Sequence, residues 1–130
     1  MMYLLDTDVI IGLFKGDPAV ASAVKRIAEE HLFVSSMSLC ELYRGAYLSS
    51  RPEEEIQYIA NLLSSARMVC LDEKACRYFG QAFAILKRAG NPTQEIDLMV
   101  GSIAIANNLI LVTRNKKHFM NIPGLKVENW

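Results

Sequence analysis

This chain is short of the residues that most readily betray a function. Its two histidines, His31 and His118, are far apart in sequence. Neither has a second imidazole at ligand spacing, which argues against a zinc site. The three cysteines (Cys40, Cys70, Cys76) are an odd number and form no CxxC pair. They read as reduced thiols packed in the core of a cytoplasmic protein. No apolar run approaches the roughly 20 residues of a membrane helix. The N-terminus enters an apolar strand pattern at once, with no basic leader, so no signal peptide is expected. Charge of one sign is also missing: 14 Lys and Arg balance 14 Asp and Glu. That balance neither favours nor excludes a nucleic-acid partner, so local clusters matter more, among them the basic run Arg114, Lys116, Lys117 and His118.

What is present points to one globular domain over residues 1–130. Hydrophobic residues make up 52% of the chain and charged residues 22%, enough for a core and too apolar for disorder. Short apolar runs alternate with helical patterns. Tyr3-Leu4-Leu5, Leu32-Phe33-Val34, Met68-Val69-Cys70-Leu71 and Leu109-Ile110-Leu111-Val112 read as buried strands, and Leu125-Lys126-Val127 as a short fifth. Thr7 or Asp8 suits the cap of a first helix over Val9, Ile10, Leu13 and Phe14. Asp17 at the N-cap and Pro18 behind it start a second helix, expected to reach about Glu30. Ser36 or Ser38 suits the cap of the helix carrying Glu41, Leu42, Gly45 and Ala46. Pro52 and Glu53-Glu54-Glu55 open the next helix with acids in its first turn. Helices are expected over about Glu73–Ala89, stopped by Gly90-Asn91-Pro92, and over Thr93–Asn107. In the last, Ile96, Met99, Val100, Ile103 and Ala104 are expected inward. Strands alternating with helices imply an α/β fold whose parallel sheet is covered on both faces.

Three carboxylates stand out in this frame. Asp6 closes the first strand, Glu41 lies in the helix entered from the second, and Asp97 sits within Ile96-Asp97-Leu98-Met99-Val100. A parallel sheet binds ligands beyond the carboxyl ends of its strands, where Asp6 and Thr113 both fall. Burying carboxylates is costly without pairing, hydrogen bonds or a metal. An all-oxygen set with no His/Cys group favours Mg²⁺ or Mn²⁺ over zinc. Such an ion activates water and stabilises charge on a phosphoryl oxygen. Plainer roles exist for each residue. Asp6 fits a helix cap, and Glu41 a first-turn acid. Asp97, placed inside its helix among apolar neighbours, fits a core ion pair but not a cap. Asp8 fits either an outer metal role or an N-cap. Ser36, Ser38 and Thr113 fit hydrogen bonds to metal-bound water, though capping also explains the serines. Asp72 reads as a solvated helix start and Glu95 as a first-turn acid.

These residues resemble the PIN-domain family, and within it the VapC-type ribonuclease toxins of toxin–antitoxin pairs. The likeness is carried by Leu4-Leu5-Asp6-Thr7-Asp8-Val9-Ile10, by Ser35 to Gly45 around Glu41, by Ile96 to Ala104 around Asp97, and by Leu111-Val112-Thr113-Arg114-Asn115-Lys116-Lys117-His118-Phe119 with Ile122-Pro123-Gly124-Leu125 and Glu128-Asn129-Trp130. It runs the length of the chain. The resemblance implies a three-layer α/β/α fold with a mostly parallel sheet of four to five strands. It implies a Mg²⁺- or Mn²⁺-dependent endoribonuclease, a homodimer, and a VapB-like antitoxin that obstructs the site. Asp6, Glu41 and Asp97 match the family's metal-carrying acids, and Thr113 its tail hydroxyl. The family's fourth, usually acidic, tail position has no carboxylate here. Asn115 stands in as a neutral oxygen donor, which puts a second metal in question. Arg44, Arg114, Lys116 and Lys117 are candidate contacts to RNA phosphates. The antitoxin is expected in a groove near Leu42, Tyr43, Ala46, Tyr47, Ile56 and Ile59. Two rivals remain at this level. One is a PIN-like module that binds RNA or protein without catalysis. The other is a haloacid-dehalogenase-type phosphatase, suggested by Leu5-Asp6-Thr7-Asp8-Val9 but lacking the later Gly-Asp motif and the length for a cap.

Overall fold

The computed structural model describes residues 1–130. Five strands, β1 (Tyr3–Leu5), β2 (Leu32–Ser35), β3 (Arg67–Val69), β4 (Ile110–Val112) and β5 (Val127–Glu128), form one sheet in the order β3-β2-β1-β4-β5. All four pairings are parallel. Six helices connect them: α1 (Thr7–Phe14), α2 (Pro18–Lys25), α3 (Ser36–Leu48), α4 (Pro52–Ser65), α5 (Glu73–Arg88) and α6 (Glu95–Ala106). None is long and apolar enough to cross a membrane.

Strand side chains alternate between faces, and this splits the core in two. Leu5, Val34 and Val112 pack with Val9, Ile10, Leu42 and Ile59 against α1, α3 and α4. Leu4 and Leu111 pack with Leu86, Leu98, Ile103 and Phe119 against α5 and α6. No buried side-chain polar atom is left without a hydrogen bond. The α/β/α layering expected from the alternation of strands and helices is therefore what forms.

Several boundaries and faces differ from expectation. The cap of α1 is Asp6, the plainer role open to that residue, rather than Thr7 or Asp8, and the cap of α3 is Ser35 rather than Ser36 or Ser38, its hydroxyl accepting from Ser38 N. In both cases the last strand residue, or the one after it, takes the cap because the helix starts at once. Helix α2 stops at Lys25, and a 3-10 turn over Glu29–His31 leads into β2. Strand β3 starts at Arg67 and ends at Val69, before Cys70 and Leu71. It is an edge strand rather than a buried one, and Met68 is 53% exposed. All three cysteines are exposed, not core: Cys40 and Cys76 lie on solvent faces of α3 and α5, and Cys70 follows the edge strand. Strand β5 falls at Val127–Glu128, set by pairing of Val127 with Leu111.

Helix α6 is the most buried. Leu98, Val100, Gly101, Ser102, Ile103 and Ala104 are all enclosed, whereas Ile96, expected inward, is 47% exposed. A helix apolar on nearly every side shows no periodicity from which to read its inner face. Gly101 permits its close contact with the C-terminal segment. A Cβ there would stand 3.0 Å from Ile122 Cδ1 and 3.3 Å from Leu125 Cδ2.

Candidate active site

The carboxyl ends of the two central strands, β1 and β4, place Asp6 and Thr113 side by side. Asp6 N donates to Val112 O at 2.9 Å and Thr113 N to Glu128 O at 3.0 Å, so both main chains continue the ladder one residue further. Alternation then turns Asp6 toward the face of Leu4, and Thr113 toward the face of Leu111, which is the α6 side. Thr113 Oγ1 donates to Asp6 Oδ2 at 2.8 Å. The other oxygen, Asp6 Oδ1, accepts from Thr7 N at 2.9 Å as the cap of α1. Capping and site-building are thus carried by one side chain.

Asp8 joins this corner. Its Oδ1 accepts from Val9 N at 2.7 Å. Its Oδ2 accepts from Arg114 N at 3.0 Å and Asn115 Nδ2 at 3.2 Å. Asn115 N donates in turn to Thr113 Oγ1 at 3.1 Å. Asp97 arrives from the first turn of α6, which begins at Glu95 rather than Thr93. It is therefore a first-turn residue of the helix rather than one well inside it, yet its carboxylate makes no cap. Its Oδ2 instead lies 3.5 Å from His118 Nδ1.

The three aspartates repel one another across the corner. Burial pushes the Asp6 carboxyl up to about 6 from 3.8; the Thr113 hydroxyl opposes the rise, and the charges of Asp8 and Asp97 add to it. Asp97 is raised too, by burial first, against the lowering influence of His118 and with a further push from Asp8. Asp8 thus acts on both partners. The sequence left it between cap and outer role; the signal that could have found it is its place two residues beyond an acid that ends a strand.

Glu41 stands apart. It lies in α3, half-buried, and the contacts of the three aspartates do not include it. It lines a cleft of about 470 Å³ between α1, α3 and the start of α4, together with Phe14, Leu42, Ala46, Tyr58 and Ile59. Of the groove residues expected from sequence, Leu42, Ala46 and Ile59 line this cleft, whereas Tyr43, Tyr47 and Ile56 do not. The first turn of α3 is tied to the corner through hydroxyls: Thr7 Oγ1 donates to Ser38 Oγ at 3.0 Å, and Ser35 Oγ to Ser38 Oγ at 3.3 Å. Ser38 therefore serves this link and not the helix cap.

Of the basic candidates, Lys116 and Lys117 are exposed in a 3-10 turn over Lys116–His118, and Arg44 is exposed on α3. Arg114 is committed elsewhere, its Nη2 lying 2.7 Å from Asp17 Oδ2.

The donors suit a hard divalent cation. They are carboxylate and amide oxygens, and the desolvation and mutual repulsion that raise Asp6 and Asp97 are what such a charge relieves. As the side chains stand, no three acidic, imidazole or thiol groups are close enough to enclose an ion.

The comparisons agree with this architecture. The PIN domain family model matches residues 3–125. The chain belongs to the PIN-domain family. Among characterised relatives it is similar to Ribonuclease VapC1 of Haemophilus influenzae strain R2866, at 32% identity over 132 residues, covering 100% of this chain and 98% of the relative. It is equally similar to the tRNA(fMet)-specific endonuclease VapC of Shigella flexneri, at 32% identity over 130 residues with the same coverage. Among solved structures, VapBC2 of Rickettsia felis, bound to a promoter DNA fragment, matches with a TM-score of 0.91 at 30% identity, covering 100% of this chain and 99% of that one. VapBC-1 of nontypeable H. influenzae matches with a TM-score of 0.90 at 32% identity, covering 100% and 98%.

Proposed function

We propose that this chain is a divalent-metal-dependent endoribonuclease, the toxin of a VapBC-type pair, held inactive by its antitoxin. The observation that carries this reading is the three-aspartate corner at the carboxyl ends of the two central strands, with Asp6 pushed up to about 6 by burial and by its acidic neighbours. The names and whole-length similarity of the relatives support the same class.

Asp6, Asp97 and Glu41 would hold Mg²⁺ or Mn²⁺, with Asp8 beside them. The bound ion would supply a Lewis acid for the attacking water and for charge on the phosphoryl oxygens. The chain's own residues do the rest. Thr113 fixes the Asp6 carboxylate through its hydroxyl. Arg114 N and Asn115 Nδ2 hold Asp8 from the outer side, so Asn115 acts as a neutral orienting group where an acid was expected. One carboxylate takes the proton of the water that attacks phosphorus, and the ribose oxygen leaves. Lys116, Lys117 and Arg44 offer positive charge to flanking phosphates. The half-apolar cleft beside Glu41 suits a segment of the antitoxin, and a homodimer completes the assembly proposed.

The test is cleavage of RNA with mapped ends, with and without Mn²⁺ or Mg²⁺. Cleavage is expected only with metal and is lost in Asp6→Asn and Asp97→Asn, both still folded by circular dichroism. Equal cleavage by all three proteins, or none by the antitoxin-free wild type with either ion, would overturn the proposal.

A further inference from the structure

We infer that Asp17 and Arg114 form a strap that positions the Asp6–Asp8 pair, an inference that rests on reading those aspartates as part of the metal-holding site. Residues 113–115 supply most of the donors that fix the pair. Thr113 Oγ1 reaches Asp6, and Arg114 N and Asn115 Nδ2 converge on one oxygen of Asp8. This segment lies between the end of β4 at Val112 and the 3-10 turn that begins at Lys116. Its outward anchor is the Arg114 side chain. The guanidinium lies across α1 at Gly12, where a Cβ would stand 3.5 Å from Nη1 and 3.7 Å from Cζ. It ends on Asp17 Oδ2 at 2.7 Å.

Asp17 is itself immobilised. Its Oδ1 accepts from Ala19 N at 3.0 Å and Val20 N at 3.2 Å as the cap of α2. One oxygen thus holds the helix and the other holds Arg114. The Arg114 hydrogen bond keeps the Asp17 carboxyl below its usual range, so it is a charged partner at neutral pH. The path from the start of α2 to the Asp8 carboxylate therefore runs through one residue, side chain on one side and main-chain N–H on the other. Arg114 is a positioning residue rather than a contact to RNA phosphate, since its charge is already engaged.

The experiment uses the full chain with Asp17→Asn, Arg114→Gln, Arg114→Lys and the double Asp17→Asn/Arg114→Gln. Asparagine keeps the cap of α2, so the fold is preserved. Amide hydrogen exchange of the metal-free protein is expected to show loss of protection at Arg114 and Asn115 in Asp17→Asn and Arg114→Gln. Calorimetric titration with Mn²⁺ should show affinity about tenfold weaker in each, the low end for groups that orient ligands from behind. The double variant should be no weaker than either single one, and Arg114→Lys should recover part of the loss. Unchanged exchange in Asp17→Asn overturns the strap. So does unchanged Mn²⁺ affinity, or a rise in KM for RNA in Arg114→Gln that Asp17→Asn does not share, which marks a direct phosphate contact. If the wild type neither binds Mn²⁺ nor cleaves RNA, the nuclease reading fails, and the exchange data alone still decide whether the strap holds the aspartate pair.

Discussion

The Asp6 corner and the Glu41 cleft share one end of the sheet but are built on opposite terms. In the corner, Asp6, Asp8, Thr113 and Asn115 are joined by direct hydrogen bonds, and Asp97 comes from the most buried helix of the fold. In the cleft, Glu41 extends from a helix that ends in solvent, with Tyr47 and Leu48 largely exposed. The corner is cross-linked and repulsive, whereas the cleft is open and half-apolar. A site composed of both joins a hydrogen-bonded charged centre to an open, half-apolar wall. Preorganisation of the charged part is where most of the electrostatic benefit lies.

The largest effects should come from removing charge in the corner. Asp6→Asn or Asp97→Asn is expected to lower the Mn²⁺-dependent cleavage rate by roughly 100-fold or more, read from initial rates on a defined RNA. Glu41→Gln should fall by a similar factor if the cleft side chain joins the corner when the ion binds. A Glu41→Gln rate equal to wild type would confine the site to the aspartates.

The helices that carry the two regions differ in the same direction. Ile103 is fully buried in α6, and Ile103→Ala should cost about 2–5 kcal/mol in chemical denaturation. Leu48, at the end of α3, is 81% exposed, and Leu48→Ala should stay within roughly 0.5 kcal/mol. Similar costs for the two would break the contrast.

A smaller effect follows from the strain held at Asp6. Its folded value of about 6 lies above the ordinary 3.8, so the folded state holds the proton more tightly than the unfolded one. The stability this contributes is fully present below pH 3.8 and is lost as pH rises through about 6. Without metal, the melting temperature should therefore carry a downward contribution from Asp6 between these limits. Asp6→Asn should remove it, gaining roughly 3 kcal/mol at pH 7. Saturating Mn²⁺ should raise the wild-type melting temperature at pH 7 and leave Asp6→Asn nearly unmoved. A metal-free melting curve with the same pH profile in both proteins would show that burial leaves Asp6 unstrained.

Much of this architecture was legible in the sequence. Asp17-Pro18 marks the start of α2 and Pro52 with three glutamates that of α4, because both signals act within one turn of chain. The central strands were legible because Leu4-Leu5 and Leu111-Val112 are buried on both faces and so are continuously apolar. Less was legible wherever a neighbour decides. Met68-Val69-Cys70 is as apolar as a central strand, but only its place at the sheet's edge makes it exposed. The cysteines are compatible with core or surface, and the packing of α3 and α5 put them outside. His118 was set aside as a zinc ligand, and nothing in its sequence neighbourhood points to Asp97, 21 positions earlier.

By itself the sequence determined the parallel α/β class, the starts of α2, α4 and α5 and the three acids worth following, since local capping, alternation and the energetic cost of apolar carboxylates need no distant partner. Only the tertiary structure decided how those acids stand toward one another. It put Asp8 with Asp6 and Asp97, left Glu41 in a separate cleft, and turned Arg114 from the site toward Asp17. The reason is physical: hydrogen bonds and repulsion act over a few ångströms, and the folding of β4 against β1 is what brings residues 6 and 113 within that range.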